Sequence, residues 1–220
     1  MNEPQVEGRR AASRPSAAVL TDVFGARRDL AERYVALLAD EGITWGLIGP
    51  REAERLWQRH VLNSCAIESL IAEGCSVLDV GSGAGLPGIP LALTRPDLRI
   101  TLLEPLQRRV EFLELVIERL QLDDRVRVHR GRAEDYLAEG GEPADVVTNR
   151  AVAPLPRLLQ WCWPLVASGG EVLAIKGASA ANEVTKAAKA LRSLKLGAEV
   201  LSVRAHAQAE ATTVVRVRRA

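Results

Sequence analysis

The feature of this sequence that most constrains its fold is a glycine-rich segment lying between two apolar runs. The segment, called the glycine loop here, covers residues 79–88 and consists of Asp-Val-Gly-Ser-Gly-Ala-Gly-Leu-Pro-Gly. The apolar run Val77–Val80 predicts a buried strand, and Ile89–Leu93 predicts the start of a helix. A glycine turn between a strand and a helix lets a ligand lie directly on backbone N–H groups at the helix N-terminus. The loop therefore predicts a nucleotide-type binding site in an α/β fold.

The spacing of the glycines distinguishes two classes of ligand. The dinucleotide fingerprint requires glycine at its first, third and sixth positions, but the sixth position counted from Gly81 is Leu86. An acidic residue followed by three alternating glycines instead resembles the first motif of S-adenosylmethionine-dependent methyltransferases. A carboxylate at Asp79 favours a sulfonium and disfavours a pyrophosphate. The alternative is that Asp79 hydrogen-bonds the glycine turn itself.

Strands and helices alternate along the chain after the glycine loop, which predicts an α/β fold with a parallel, doubly wound sheet. The link Gln208–Ala211 is too short for a crossover helix, so the last two strands are expected to form an antiparallel edge hairpin. This is the layout of the class I methyltransferase version of the Rossmann-like fold. The predicted strands are Val77–Val80, Arg99–Glu104, Val126–Arg130, Asp145–Thr148, Glu171–Lys176, Glu199–Arg204 and Thr212–Val217, and the predicted helices among them are 106–120, Leu155–Cys162 and Ala180–Leu194.

The chain divides into three predicted segments. Residues 1–16 contain prolines and arginines without apolar periodicity, which predicts a disordered, mildly basic arm. Apolar residues at helical spacing in 27–41 and 51–71 predict an N-terminal helical cap over residues 17–75. Residues 76–220 are then the cofactor-binding domain.

Composition and charge indicate in which cellular compartment the protein works, but they do not indicate what it binds. The net charge is only +1, so the overall charge does not point to nucleic acid. No apolar stretch approaches the roughly 20 residues of a membrane span, and the N-terminus lacks a signal-peptide core. The three cysteines show no C-x-x-C spacing, which argues against a disulfide framework or a zinc site. We expect a cytoplasmic protein without a metal, and a monomer by default.

Other cofactor positions follow from the geometry of open parallel sheets, in which ligands bind beyond the carboxyl ends of the strands. Glu104 closes the second predicted strand, where its carboxylate would accept hydrogen bonds from both ribose hydroxyls. The loop after the third strand carries Ala133 and Glu134, and in methyltransferases this loop usually contacts the adenine. Solvated loop acids are the alternative interpretation of Glu104 and Glu134. The methyl-transfer site is expected at the end of the fourth strand, beside Asn149 and Arg150.

The sequence near this predicted methyl-transfer site disfavours two kinds of acceptor. Exocyclic base amines are usually methylated with an Asn/Asp-Pro-Pro-aromatic motif, which is absent from 148–153. A pyrimidine carbon needs a nucleophilic cysteine, and the nearest one, Cys162, lies on an apolar helix face that favours packing. A ring nitrogen such as guanine N7 has an in-plane lone pair and needs no base. This agrees with the lack of an evident general base, and no residue is assigned as catalytic.

The segment 77–113 closely resembles the glucose-inhibited division protein B family, the bacterial small-subunit rRNA guanine-N7 methyltransferases. Leu86-Pro87-Gly88-Ile89-Pro90 is more specific for this family than the glycine pattern. The resemblance extends to Arg59–Ser64, Asn149–Ala151 and Leu173–Gly177, and covers roughly residues 25–180.

The resemblance implies transfer of a methyl group from S-adenosylmethionine to N7 of one guanosine in 16S rRNA of the small ribosomal subunit, leaving S-adenosylhomocysteine. Family cofactor positions match Gly81, Leu86, Ala133, Glu134 and Arg150, and the full predicted cofactor set adds Asp79, Ser82, Gly83 and Glu104. The predicted substrate residues are Arg59, His60, Asn63, Arg150 and Lys176, of which Arg150 and Lys176 are expected to border the acceptor pocket. Asn63 stands where the family usually has aspartate.

Two alternatives remain open from the sequence. One is a methyltransferase that acts on another RNA, a protein or a small molecule. The other, from a different functional class, is an S-adenosylmethionine-binding regulator without catalysis. A purely structural role is also the alternative for His60, which lies on a predicted helix surface.

Overall fold

A computed structural model describes residues 14–220, so the expected basic arm lies almost wholly outside the described residues. Within this range seven strands form one sheet: β1 (Ser76–Val80), β2 (Arg99–Leu103), β3 (Val126–His129), β4 (Ala144–Arg150), β5 (Val166–Lys176), β6 (Leu196–Val203) and β7 (Thr212–Arg219). Their order is β3-β2-β1-β4-β5-β7-β6. Strands β1 to β5 run parallel, whereas β7 pairs antiparallel with both β5 and β6. The predicted doubly wound sheet with an antiparallel edge hairpin is confirmed.

The α-helices of residues 14–220 are α1 (Ala17–Phe24), α2 (Arg28–Leu37), α3 (Asn63–Cys65), α4 (Gly88–Thr94), α5 (Gln107–Leu120), α6 (Leu155–Cys162) and α7 (Ala180–Leu194). Successive side chains of β1 point to opposite faces of the sheet, as Val77 and Leu78 do. Helices α1, α2, α4 and α5 pack with one face, and α6 and α7 pack with the other. The sheet is therefore covered on both sides.

The helical cap is less regular than its apolar spacing predicts. The predicted helix over 51–71 is a 3₁₀ segment Pro50–Arg55, a π-helical segment Leu56–Leu62, the short α3 and a further 3₁₀ turn Glu68–Leu70. The predicted helix over 27–41 is α2 followed by a π-helical segment Leu38–Gly42. Apolar spacing does not distinguish these forms because all three helix types return a side chain to one face after three to five residues. The cap and the sheet share one continuous apolar core.

Strand β5 begins at Val166, five residues before the predicted start at Glu171. Its first half contains Ser168-Gly169-Gly170, with Gly169 at a φ of +82°, and its pairing with β4 shifts register between Ala144 and Val146. Glycines weaken a strand signal because they bring no side chain to pack. No helix in the described part of the chain is long and apolar enough to cross a membrane.

Candidate functional site

The glycine loop turns between β1 and α4 through three residues in the left-handed region of backbone space. Gly81, Gly83 and Gly85 have φ values of +73°, +59° and +94°. A Cβ on Gly81 would lie 2.9 Å from the Val152 side chain, and a Cβ on Gly85 would lie 2.6 Å from that of Ile89. Both the conformation and the space at these positions therefore require glycine.

Asp79, the first residue of the glycine loop, is hydrogen-bonded to its last residue, Gly88. Its side chain is fully buried, and Oδ2 accepts the backbone N–H of Gly88 at 2.9 Å. Ser82 Oγ donates to the Asp79 carbonyl at 2.8 Å. Asp79 Oδ1 is buried without a hydrogen-bond partner among the described residues. Burial raises the pKa of Asp79 from 3.8 to about 7, against the opposing effect of the Gly88 hydrogen bond.

Glu104 holds the other side of the loop. This fully buried residue follows β2, and its carboxylate accepts the Gly83 N–H at 3.0 Å and the Leu106 N–H at 3.1 Å. Arg109, at the start of α5, places its guanidinium 3.6 Å from Glu104 Oε2. One carboxylate thus ties the loop after β1 to the start of the helix after β2.

The cap contributes two contacts to the same region. Tyr34 of α2 is fully buried, and its hydroxyl donates to the carbonyl of Ala84 in the glycine loop at 2.8 Å. On the β4 side, Arg150 Nη2 lies 2.7 Å from His60 Nδ1, and His60 Nε2 lies 2.9 Å from Glu52 Oε2. Burial lowers the pKa of His60, and the positive charge of Arg150 lowers it further.

A cavity of about 630 Å³ lies at the carboxyl ends of β1, β2 and β4, above the glycine loop. This volume falls in the range of small-molecule sites. The cavity brings together most of the residues that the sequence assigned to the cofactor: Gly81, Ser82, Gly83, Leu86, Glu104, Ala133, Glu134 and Arg150. His60, assigned to the substrate, also lines it.

Four predicted site residues lie outside the cavity lining. Asp79 is behind the loop, and Arg59 is an exposed side chain 3.7 Å from Glu52. Asn63 Nδ2 donates to Thr212 Oγ1 at 2.8 Å, which ties the cap to β7. Lys176, expected at the acceptor pocket, is only 6% exposed; its Nζ donates to the Ala153 carbonyl at 2.6 Å and pairs with Glu183 at 2.9 Å. These contacts hold Lys176 under the loop that follows β4.

Sequence reasoning missed several lining residues, namely Leu47, Ile48, Leu106, Val152 and Trp161. All are apolar, and one sequence does not distinguish an apolar cavity wall from an apolar core. Val152 was findable, because it lies in the loop after β4 where the methyl-transfer site was expected. Trp161 also carries the Arg157 guanidinium over its ring at 4.6 Å, a contact between residues four apart on α6.

The sheet order, the antiparallel β7 and the cavity above the glycine loop define a class I methyltransferase fold. Solved structures agree on the fold. A precorrin-6y C5,15-methyltransferase from Geobacter metallireducens is similar with a TM-score of 0.54 and 15% identity, over 80% of this chain and 91% of that one. A ribosomal protein L11 methylase from Lactobacillus delbrueckii subsp. bulgaricus gives 0.54 and 16%, over 78% and 80%.

Sequence relatives identify the family within this class. The family model described as rRNA small subunit methyltransferase G matches residues 27–214. Proteins named ribosomal RNA small subunit methyltransferase G are 55% identical in Kineococcus radiotolerans, over 90% of this chain and 77% of that protein, and 56% identical in Pseudarthrobacter chlorophenolicus, over 89% of each. The chain belongs to the rRNA small subunit methyltransferase G family, which implies use of S-adenosylmethionine.

Proposed function

We propose that this chain transfers a methyl group from S-adenosylmethionine to N7 of a specific guanosine in 16S rRNA of the small ribosomal subunit. The observation that carries the proposal is the cavity in which the glycine loop, Glu104 and Arg150 meet, in a chain of this family. Bound S-adenosylmethionine supplies an electrophilic methyl group on a sulfonium.

Two features of the cavity fit this cofactor. Gly83 lines the cavity, and a Cβ on it would meet nothing nearer than the Gly81 carbonyl oxygen at 3.9 Å, so this part of the loop backbone is accessible to a ligand. A carboxylate offers about four acceptor positions, and the two backbone N–H groups on Glu104 use only two of them. The remaining acceptor capacity suits a pair of ribose hydroxyls. Ala133 and Glu134, on the same cavity, would hold the adenine.

Methylation of guanine N7 requires little from the protein except that it positions the two reactants. Guanine N7 carries an in-plane lone pair and no proton, so no general base is needed, and alignment of the two reactants accounts for most of the rate. Methylation at N7 makes the base cationic. The Arg150 guanidinium on the cavity wall would therefore act on a phosphate or on O6 rather than on N7 itself.

The decisive experiment supplies S-adenosylmethionine labelled in the methyl group together with small ribosomal subunits that lack the modification, or with free 16S rRNA. We expect label in the rRNA, recovered as N7-methylguanosine after digestion to nucleosides. Label in another nucleoside, in protein or in a small molecule would support another acceptor. Cofactor binding without any transfer would support the regulator instead.

Arg150→Ala tests the residue placed between cofactor and acceptor. Loss of a charged hydrogen-bond donor costs about 1.5–3 kcal/mol, which corresponds to a fall in methylation of about 10- to 160-fold. Arg99→Ala, an exposed arginine at the opposite end of β2, is the matched control and is expected to leave methylation unchanged. Undiminished methylation with normal cofactor affinity in Arg150→Ala would remove Arg150 from the site.

A further inference from the structure

We propose that Glu52 and His60 of the helical cap are positioning residues that aim the Arg150 guanidinium into the cavity. This inference rests on the proposed function, since it assigns Arg150 to the reaction site. The inference gives the cap a role in orienting a residue of that site, in addition to packing against the sheet.

The hydrogen-bond chemistry fixes the direction of every contact in this chain of residues. Arginine has only donors, so the 2.7 Å contact from Arg150 Nη2 requires His60 Nδ1 to be an unprotonated acceptor. The proton of the neutral imidazole then lies on Nε2, which donates to Glu52 Oε2 at 2.9 Å. Glu52 thereby selects the tautomer that Arg150 needs, as a partner on one ring nitrogen sets the state of the other.

Hydrogen bonds to the backbone of the cap fix the position of the His60 imidazole. Ser64 Oγ donates to the His60 carbonyl at 2.6 Å, and Arg150 Nη1 makes a longer contact with the same carbonyl at 3.5 Å. The His60 side chain is only 12% exposed. Arg150 is thus held at two guanidinium nitrogens by one residue of the cap.

A neutral partner leaves the charge of Arg150 available to a ligand. No carboxylate among residues 14–220 lies within 4.0 Å of the Arg150 guanidinium, although this side chain is partly buried on the cavity wall. A carboxylate in place of His60 would hold the guanidinium equally well but would neutralise it. The imidazole supplies direction without neutralisation, which is the property required of a cation that must bind a phosphate, a carboxylate or a carbonyl oxygen of a ligand.

A double-mutant cycle on rRNA methylation tests whether His60 acts through Arg150. We expect His60→Ala to lower kcat/KM about tenfold, and the double variant His60→Ala/Arg150→Ala to be no worse than Arg150→Ala alone within about twofold. Additive losses would overturn the proposal, because they would show that His60 acts independently. Thermal unfolding of each variant verifies that it is folded.

Two conservative variants separate positioning from a structural role. Asparagine at position 60 places an amide oxygen near the Nδ1 position and retains an acceptor for Arg150, so His60→Asn is expected to recover most of the activity. Glutamine places its amide near the Nε2 position, so His60→Gln keeps the contact with Glu52 but not that with Arg150, and is expected to behave like His60→Ala. Equal activity of the two variants would overturn the proposal.

A readout independent of catalysis is the tautomer of His60. The chain has three histidines, so ¹⁵N-histidine NMR gives few signals, and the His60 signal is assigned by its loss in His60→Asn. We expect the Nε2–H tautomer at neutral pH in the wild type and a larger share of the Nδ1–H tautomer in Glu52→Ala, which has no side-chain acceptor for Nε2–H. An Nδ1–H tautomer in the wild type would overturn the inference.

The outcomes for the two proposals are distinguishable. An active wild type with an additive cycle contradicts only the positioning role. A wild type that transfers no methyl group to rRNA contradicts the proposed function. In that case the same cycle is measured on the dissociation constant of S-adenosylhomocysteine, where additivity of the His60 and Arg150 effects would again overturn the inference.

Discussion

Replacing Asp79 by asparagine removes a titrating carboxyl from beneath the glycine loop while keeping an oxygen that can accept the Gly88 N–H. Asp79 is fully buried, and its pKa in the folded chain is raised to about 7 from the ordinary 3.8, mainly by loss of solvation. Since the unfolded chain keeps the ordinary value, the two states bind different numbers of protons at intermediate pH. Asp79 therefore makes the free energy of unfolding depend on pH.

The sign and the size of this dependence follow from the two pKa values. Between pH 3.8 and about 7 the folded chain holds the Asp79 proton and the unfolded chain has released it, so stability falls as the pH rises through this window. A difference of about three pKa units corresponds to about 4 kcal/mol in all, at roughly 1.4 kcal/mol per unit. About 3 kcal/mol of this is lost between about pH 5 and pH 8.5, because the unfolded chain is already ionised at the lower limit.

Urea unfolding of the wild type and Asp79→Asn at several pH values measures the effect. Contributions of all other groups cancel in the difference, so Asp79→Asn should gain about 3 kcal/mol relative to the wild type from about pH 5 to pH 8.5. Asp97→Asn is the matched control. The Arg95 guanidinium holds the pKa of Asp97 below its usual range, so both states are ionised above pH 5 and the difference should stay constant. A difference for Asp79→Asn that does not change with pH would refute the reasoning.

Two further substitutions test the packing around the site. Gly85→Ala puts a Cβ 2.6 Å from the Ile89 side chain at a φ of +94°. We expect the free energy of unfolding in urea to fall by about 2 kcal/mol or more, and calorimetry to show weaker binding of S-adenosylhomocysteine. An unchanged unfolding midpoint would contradict the steric argument. Lys176→Ala leaves Glu183 without its cation and should cost about 2–3 kcal/mol of stability. Lys186 is exposed on α7, the helix that carries Glu183, and Lys186→Ala should cost about 0.5 kcal/mol or less. Equal stabilities of the two lysine variants would contradict the buried ion pair.

The order of strands and helices was predictable because the signals are local and strong. Buried parallel strands are continuous apolar runs, and the short link at Gln208–Ala211 leaves only a hairpin. The start of β5 was not predictable, because Gly169 and Gly170 lie where the pairing with β4 is irregular and bring no apolar side chains. The cap over residues 17–75 was predicted as helical, but its π and 3₁₀ segments depend on tertiary packing that apolar spacing does not encode.

For the site, too, the residues placed by local sequence signals were predictable, and those placed by long-range contacts were not. The glycine loop and Glu104 were predictable, since parallel strands bring their carboxyl ends to one edge. Lys176 is the last residue of β5 in the same sheet, yet its side chain pairs with Glu183, 7 residues further along the sequence. A carboxylate on α7 that reaches back to β5 decides where this lysine points. The sequence records the charge of Lys176 but not its partner.

The glycine loop is fixed from three independent directions, and only two of them belong to the sheet. Asp79 and Glu104 each accept one backbone N–H of the loop, from Gly88 and Gly83. The third direction is the cap, where Tyr34 binds the Ala84 carbonyl across a separation of 50 residues. The cap also contacts the β4 side of the same cavity, where His60 accepts a hydrogen bond from Arg150. A change in cap packing would therefore affect both the glycine loop and the β4 side of the cavity. The cap and the sheet therefore form the cavity together, and their shared apolar core fixes the position of one relative to the other.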